Sequence, residues 1–227
     1  MHQVDSMSPQ ERRASISLAL VFAFRMLGLF MVLPVLATYG QQLQGATPLL
    51  IGMAIGAYGL TQAVLQIPFG MLSDRIGRKP VIIFGLVLFA AGGLLAAGAD
   101  SIQQVIAGRI LQGAGAIAAA VMALVADSTR EQHRTKAMAM IGMSIGLAFA
   151  VAMVAGPVVA GIAGLGGVFL STSMLAIVGI GLVLLVVPTP QQVLLHRDAG
   201  IVRGVLRPAL ANSELLRLNY GIACLHA

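Results

Sequence analysis

The 227-residue sequence predicts an all-α integral membrane protein: six transmembrane helices followed by the start of a truncated seventh. Two features of the chain carry that prediction before any motif is read. Its mean hydropathy is +0.93, with 58% hydrophobic and only 10% charged residues, whereas a soluble domain is about a quarter charged. The polar surface is too small to clothe a water-soluble core. The apolar residues also fall into runs at 16–38, 49–69, 81–99, 102–126, 137–163 and 168–187, with a further one opening near Leu218. A helix needs roughly 20 apolar residues to span a bilayer, and each complete run meets that length. Strands of a membrane barrel would show segments of about 10 residues in strict alternation, and the sequence has none.

A third feature, the placing of the cations, orients the runs. The N-terminal arm (1–15) holds Arg12 and Arg13, the second-to-third connection Arg75, Arg78 and Lys79, and the fourth-to-fifth Arg130, Arg134 and Lys136. The segment after the sixth run adds Arg197, Arg203, Arg207 and Arg217. The alternate connections at 39–48, 100–101 and 164–167 contain no Lys or Arg. By the positive-inside rule this puts the N-terminus, both basic loops and residues 188–217 in the cytoplasm. The net charge of +6 therefore reports membrane orientation, and no nucleic-acid partner is expected. The domain reading is an N-terminal cytoplasmic arm at 1–15, a six-helix bundle at 16–187, a cytoplasmic linker at 188–217 and the start of the seventh helix at 218–227.

The first run is too long for a signal-peptide core and carries Arg25, so it is read as a retained helix. A cation about nine residues deep costs at least about 2.5–3.5 kcal/mol on insertion scales. Arg25 is therefore the leading intramembrane site candidate; the alternative is a purely structural one, a hydrogen bond inside the bundle to a carbonyl, Gln62 or Gln66. The fourth run holds Arg109, about seven residues in and so roughly 10 Å deep at 1.5 Å per residue, together with Gln112. The lone Cys224 excludes an intrachain disulfide, and the four histidines (His2, His133, His196, His226) lie in loops or at the ends. Neither a metal nor a cofactor is implied, and no hydrolytic or redox constellation marks an enzyme.

The most specific stretch is Gly70-Met71-Leu72-Ser73-Asp74-Arg75-Ile76-Gly77-Arg78-Lys79-Pro80. Gly70 and Gly77 permit a tight link, Pro80 suits the first turn of the third helix, and Asp74 stands four residues before Arg78, a pairing distance. This stretch resembles the G-x-L-x-D-R-x-G-R-[KR] signature of the major facilitator superfamily at every fixed position. Arg109-Ile110-Leu111-Gln112-Gly113-Ala114-Gly115-Ala116 resembles that family's R-x-x-Q-G-x-G-A element. Gly156-Pro157-Val158-Val159-Ala160-Gly161 resembles its antiporter element, with Ala152 and Ala160 in place of two glycines. Arg25-Met26-Leu27-Gly28 followed by Leu33-Pro34 resembles the first helix of the drug/proton antiporters, and the whole chain is most similar to the YajR-type drug/proton antiporter branch.

The resemblance implies the N-terminal half of a secondary active transporter in a bacterial inner membrane, with two six-helix halves rocking about a central site. It implies a missing C-terminal half, a small-molecule substrate and protons as partners beside the lipid bilayer. It further implies proton-coupled efflux of small, partly apolar compounds. Gly70, Asp74, Arg75, Gly77, Arg78, Lys79 and Asp127 form the expected gate, and Gly156, Pro157 and Gly161 the expected packing surface of helix five. Arg25, Tyr58, Gln62, Gln66, Met122 and Met143 are the expected cavity lining, with the methionines readable equally as core filling. The incomplete antiporter glycines keep a metabolite or sugar carrier of the same superfamily as an alternative, and a non-transporting membrane fragment as another.

Overall fold

A computed structural model describes residues 6–188, 212–214 and 217. The described residues form helices α1 (Pro9–Tyr39), α2 (Pro48–Ile76), α3 (Arg78–Ala97), α4 (Ile102–Ala114), α5 (Ala118–Ser128) and α6 (Glu131–Leu185), and no strand is found among them. Five helical stretches are long and apolar enough to cross a membrane: Pro9–Gln42, Pro48–Ile76, Arg78–Ala97, Ile102–Ser128 and Glu131–Leu185. A second unit spans residues 194–227; within it Ser213, Glu214 and Arg217 are helical and exposed. Most of the expected linker, with Arg197, Arg203 and Arg207, and all of the expected seventh helix lie outside the described residues.

Helix α1 begins seven residues before the apolar run. Ser8 caps it, accepting from the Glu11 N–H while Glu11 accepts from the Ser8 N–H, and Pro9 occupies the first turn. That reciprocal pair satisfies two otherwise orphaned donors and carries the helix into the N-terminal arm. The fourth span, Ile102–Ser128, is interrupted within its length between α4 and α5 at Gly115–Ile117. There the Ala116 N–H bonds the Ala114 carbonyl and the Ile117 N–H bonds the Gly115 carbonyl, both at 2.9 Å.

The expected connection at 164–167 is a sharp kink rather than an open loop: α6 consists of two helices that meet at the non-helical Gly164 (φ 66°, ψ −169°). Chain direction reverses there. Before Gly164 the helix runs parallel to α1, with Ser144 bonded to the Ala19 carbonyl and Gly156 against Met31. After it, Gly166, Ser173 and Gly179 meet Ala97, Ala90 and Leu86 in turn, antiparallel to α3.

Glycines set the closest approaches. Each of Gly92 and Gly108 leaves no room for a Cβ against the other's carbonyl oxygen (2.5 and 2.7 Å); one heptad along, Gly115 leaves none against the Gly85 carbonyl oxygen, and Gly85 none against the Ile117 side chain. This seven-residue seam brings the α3 and α4 backbones into contact, as small residues do between helices in lipid.

Two apolar clusters stack along the bundle. One contains Phe22, Ile82, Ile117, Leu124 and Ile141; the other contains Val35, Leu36, Ile51, Ile102 and Phe169. Along α1, α3 and α4 the residues between them are Arg25, Phe89, Arg109 and Gln112, all buried. The outer surface stays apolar, with Leu60, Val64, Ile67, Ile162 and Leu185 exposed, as a bilayer-facing surface requires.

Candidate functional site

At one end of the bundle, α2 stops at Ile76 and α3 starts at Arg78, with only Gly77 between them at φ 101°. A residue with a Cβ adopts that region only under strain, so the glycine makes this one-residue turn possible. The turn aims Arg78 back across the helix ends. Its guanidinium pairs with Asp74, donates from Nε to Asp127 Oδ2 (3.2 Å) and from Nη1 to Ser73 Oγ (2.7 Å). Ser73 in turn donates to the Gly70 carbonyl at 2.7 Å. Arg78 thus joins α2 to the last turn of α5, with two carboxylates flanking one cation. Lys79 Nζ donates to the Val187 carbonyl just beyond α6, and Arg75 is exposed.

The same end carries a second ionic clasp that sequence reasoning missed. Glu11, buried at the start of α1, accepts from the Arg130 N–H (2.8 Å) and Nε (3.0 Å) through Oε1 and from Nη2 (3.1 Å) through Oε2. The signal was available as the Ser8–Glu11 capping pattern, which fixes where Glu11 points. At the opposite end, where the connections contain no Lys or Arg, the loop after α1 pairs with the turn before α4. The Gln44 N–H donates to the Asp100 carbonyl and the Ile102 N–H to the Gln44 carbonyl.

The buried centre is built around Tyr58. Arg109 lies over its ring with the guanidinium carbon 4.5 Å from the centroid, and Arg25 stands 5.8 Å from that centroid and 5.7 Å from the Phe89 ring. Cation–π contacts of this kind are worth about 2 kcal/mol when desolvated, which offsets much of the insertion cost of each arginine. Arg109 donates from Nε to the Ala54 carbonyl (3.3 Å) and from Nη1 to Gln112 Oε1 (3.1 Å), and Gln112 Nε2 passes the chain to Thr172 Oγ1 (3.1 Å). Arg109 and Gln112 together tie α2, α4 and α6 to one another.

Arg25 is held differently. Its Nη2 donates to Gln62 Oε1 (2.8 Å) and to the Gly115 carbonyl (3.0 Å), the group exposed by the break between α4 and α5. A carbonyl and Gln62 are two of the three partners anticipated. Gln66 instead keeps its Oε1 buried without a hydrogen-bond partner.

The rest of the anticipated lining is only partly gathered. Met122 is half-buried against the cluster containing Ile117, whereas Met143 is 68% exposed on α6. The packing surface expected across Gly156, Pro157 and Gly161 forms at Gly156, which meets the Met31 backbone. Pro157 is exposed, and nothing lies within 4 Å of a Cβ built at Gly161. Phe89, Thr172 and the Gly115 carbonyl belong to the centre without having been anticipated.

The family description "Major Facilitator Superfamily" matches residues 18–224. The chain belongs to that superfamily. Its facilitator relatives include the inner membrane transport protein YajR of Escherichia coli K12, 60% identical over 220 residues, which cover 97% of this chain and 48% of that protein. An uncharacterized transporter of Buchnera aphidicola subsp. Schizaphis graminum is 39% identical over 95% of this chain and 55% of its own length. The class B tetracycline resistance protein of Escherichia coli is 30% identical over 61% of this chain and 34% of its own length. The crystal structure of the human organic anion transporter MFSD10 shares the fold, with a TM-score of 0.67 at 20% identity over 80% of this chain and 48% of that one. The chain spans about half the length of the curated relatives it matches. A facilitator chain sits in a lipid bilayer, and the superfamily is one of transporters, not of enzymes.

Proposed function

We propose that this chain is the N-terminal half of a proton-coupled exporter of small, partly apolar compounds in a bacterial inner membrane, with its N-terminus in the cytoplasm. The observation that supports the reading best is Arg78 held between Asp74 and Asp127 across the Gly77 turn. Within a two-half transporter, those charges latch the cytoplasmic side in one state and release in the other. Asp74 also has a use for the positive N-terminal end of a helix in the second half. The two helices of α6 on either side of Gly164 are about 50 Å and about 32 Å long at 1.5 Å per residue, each enough for one crossing of a hydrocarbon layer of about 30 Å; six crossings result. The apolar runs hold no Asp or Glu, so the proton-carrying group lies in the second half.

The test is efflux from energised cells, or uptake into everted vesicles, by the complete transporter, using tetracycline and a panel of small apolar dyes. Movement should depend on an imposed pH gradient, collapse with a protonophore and fall several-fold in Asp74→Asn at matched protein level. Movement of none of the panel under any gradient, or wild-type movement in Asp74→Asn, contradicts the reading.

A further inference from the structure

Two guanidinium groups stand within 6 Å of the Tyr58 ring centre, yet none of the six apolar runs contains an acidic residue. Such a concentration of positive charge in a low-dielectric interior is costly unless an anion shares it. The two arginines meet this cost unequally. Arg109 spends Nε and Nη1 on fixed acceptors from α2 and α4, leaves only Nη2 buried without a hydrogen-bond partner, and lies closest to the ring. Arg25, 1% exposed, makes both of its hydrogen bonds through Nη2 alone, and its Nε and Nη1 are buried without a hydrogen-bond partner. The Tyr58 hydroxyl is likewise buried without one. A guanidinium carries five N–H donors and no acceptor, so what these groups lack is an acceptor. The side chain bonded to Arg25 from α2, Gln62, is only half-buried, which leaves the cation one side chain below the surface.

We propose that Arg25, supported by the Tyr58 hydroxyl, is the binding point for an anionic group, so that the compounds this chain handles carry a carboxylate or a comparable organic anion. The anion takes the free donors of Arg25 and neutralises the charge around Tyr58, while the apolar remainder of the compound rests among the surrounding side chains. Arg109 holds the Tyr58 ring in place and is a positioning residue. The proposal rests on the transporter reading for the word substrate. The binding itself needs only residues of this chain, and so it is testable without transport or a proton gradient.

The experiment measures thermal stabilisation of the 227-residue chain in detergent micelles by a matched series: benzoate, benzamide and benzylamine, with chloride at the same concentration as a further arm. Benzoate should bind at least tenfold more tightly than benzamide, and benzylamine should give no stabilisation. Arg25→Gln should erase the preference for benzoate, Arg25→Lys should keep it in weaker form, and Tyr58→Phe should weaken benzoate severalfold while leaving the melting of the ligand-free chain in place. Equal stabilisation by benzoate and benzamide, no stabilisation by any of the series, or a chloride effect equal to that of benzoate would each overturn the proposal. Should Arg25→Gln not fold, the matched series on the unaltered chain and Tyr58→Phe still decide it. Charge-selective binding without gradient-driven export would instead leave the anion site standing and remove the exporter reading.

Discussion

Replacing Gly92 by alanine tests the seam between α3 and α4. The new Cβ would lie 2.5 Å from the Gly108 carbonyl oxygen and 2.6 Å from the Gln112 backbone nitrogen. Ordinary contact begins at 3.4 Å, so the helices must part by about 0.9 Å (3.4 − 2.5). Both obstacles are backbone, and no rotamer change relieves them. Overpacking of this kind costs about 1–3 kcal/mol, and the upper part of that range applies because Gln112, which would have to move, bonds both Arg109 and Thr172. The helix propensity of alanine returns up to about 1 kcal/mol, leaving a net loss near 1–2 kcal/mol. Gly56→Ala is the control: nothing lies within 4 Å of its Cβ, so only the propensity gain remains. The two variants should differ by about 2–3 kcal/mol. For a chain of this size that is a separation in Tm of at least about 4 °C, read by circular dichroism of the chain in micelles. The double variant Gly92→Ala/Gly108→Ala should cost less than the sum of its parts, because one helix shift relieves both. Coincident melting of Gly92→Ala and Gly56→Ala would refute the seam.

Three further outcomes are expected. Gly77→Ala should cost about 1–3 kcal/mol through the strain of φ 101°, and comparison with Pro80→Ala by the same melting assay separates backbone strain from loss of a motif side chain. Glu11→Gln should cost about 1.5–3 kcal/mol, the worth of a charge-assisted hydrogen bond, and in the double-mutant cycle with Arg130→Met most of that loss should vanish; full additivity would dissolve the clasp. In inverted and right-side-out vesicles, single cysteines at Ile76 and Ala99, introduced after replacing Cys224, should be labelled from the cytoplasmic and the external side respectively, and external labelling at position 76 would reverse the proposed orientation.

Much of this architecture was legible in the sequence because membrane spans are written as length and charge placement. The same uniformity hid what was missed. When every face of a helix is apolar, periodicity does not say which side meets a neighbour, so Phe89 and Thr172 gave no sign of standing beside Arg25 and Gln112. The break at Gly115–Ile117 was marked by Gly113-Ala114-Gly115, but glycine within an apolar helix reads equally as a packing residue. Only the contact with Gly85 shows that Gly115 does both. The helix start at Ser8 carried a full local signal, Ser-Pro-Gln-Glu, which the apolar run beginning at residue 16 overshadowed. For Arg25 the contacts found, a carbonyl and Gln62, are those of the structural alternative, because the cost of an unpaired cation leaves few other arrangements.

The interruption of the fourth helix also bears on redesign. An engineer seeking a hardier variant would first replace the buried Arg25 with a residue such as methionine, expecting to save a desolvation cost. That exchange alone strips the Gly115 carbonyl of its Arg25 donor at a point where regular helical bonding has already been given up. The complementary repair, a residue at position 115 that favours continuous helix, collides with the Gly85 backbone and would still face the cation. Each change is harmful without the other, and both together also require room at position 85. The cation and the interruption therefore form a single inherited unit, insulated from stepwise improvement by any one substitution.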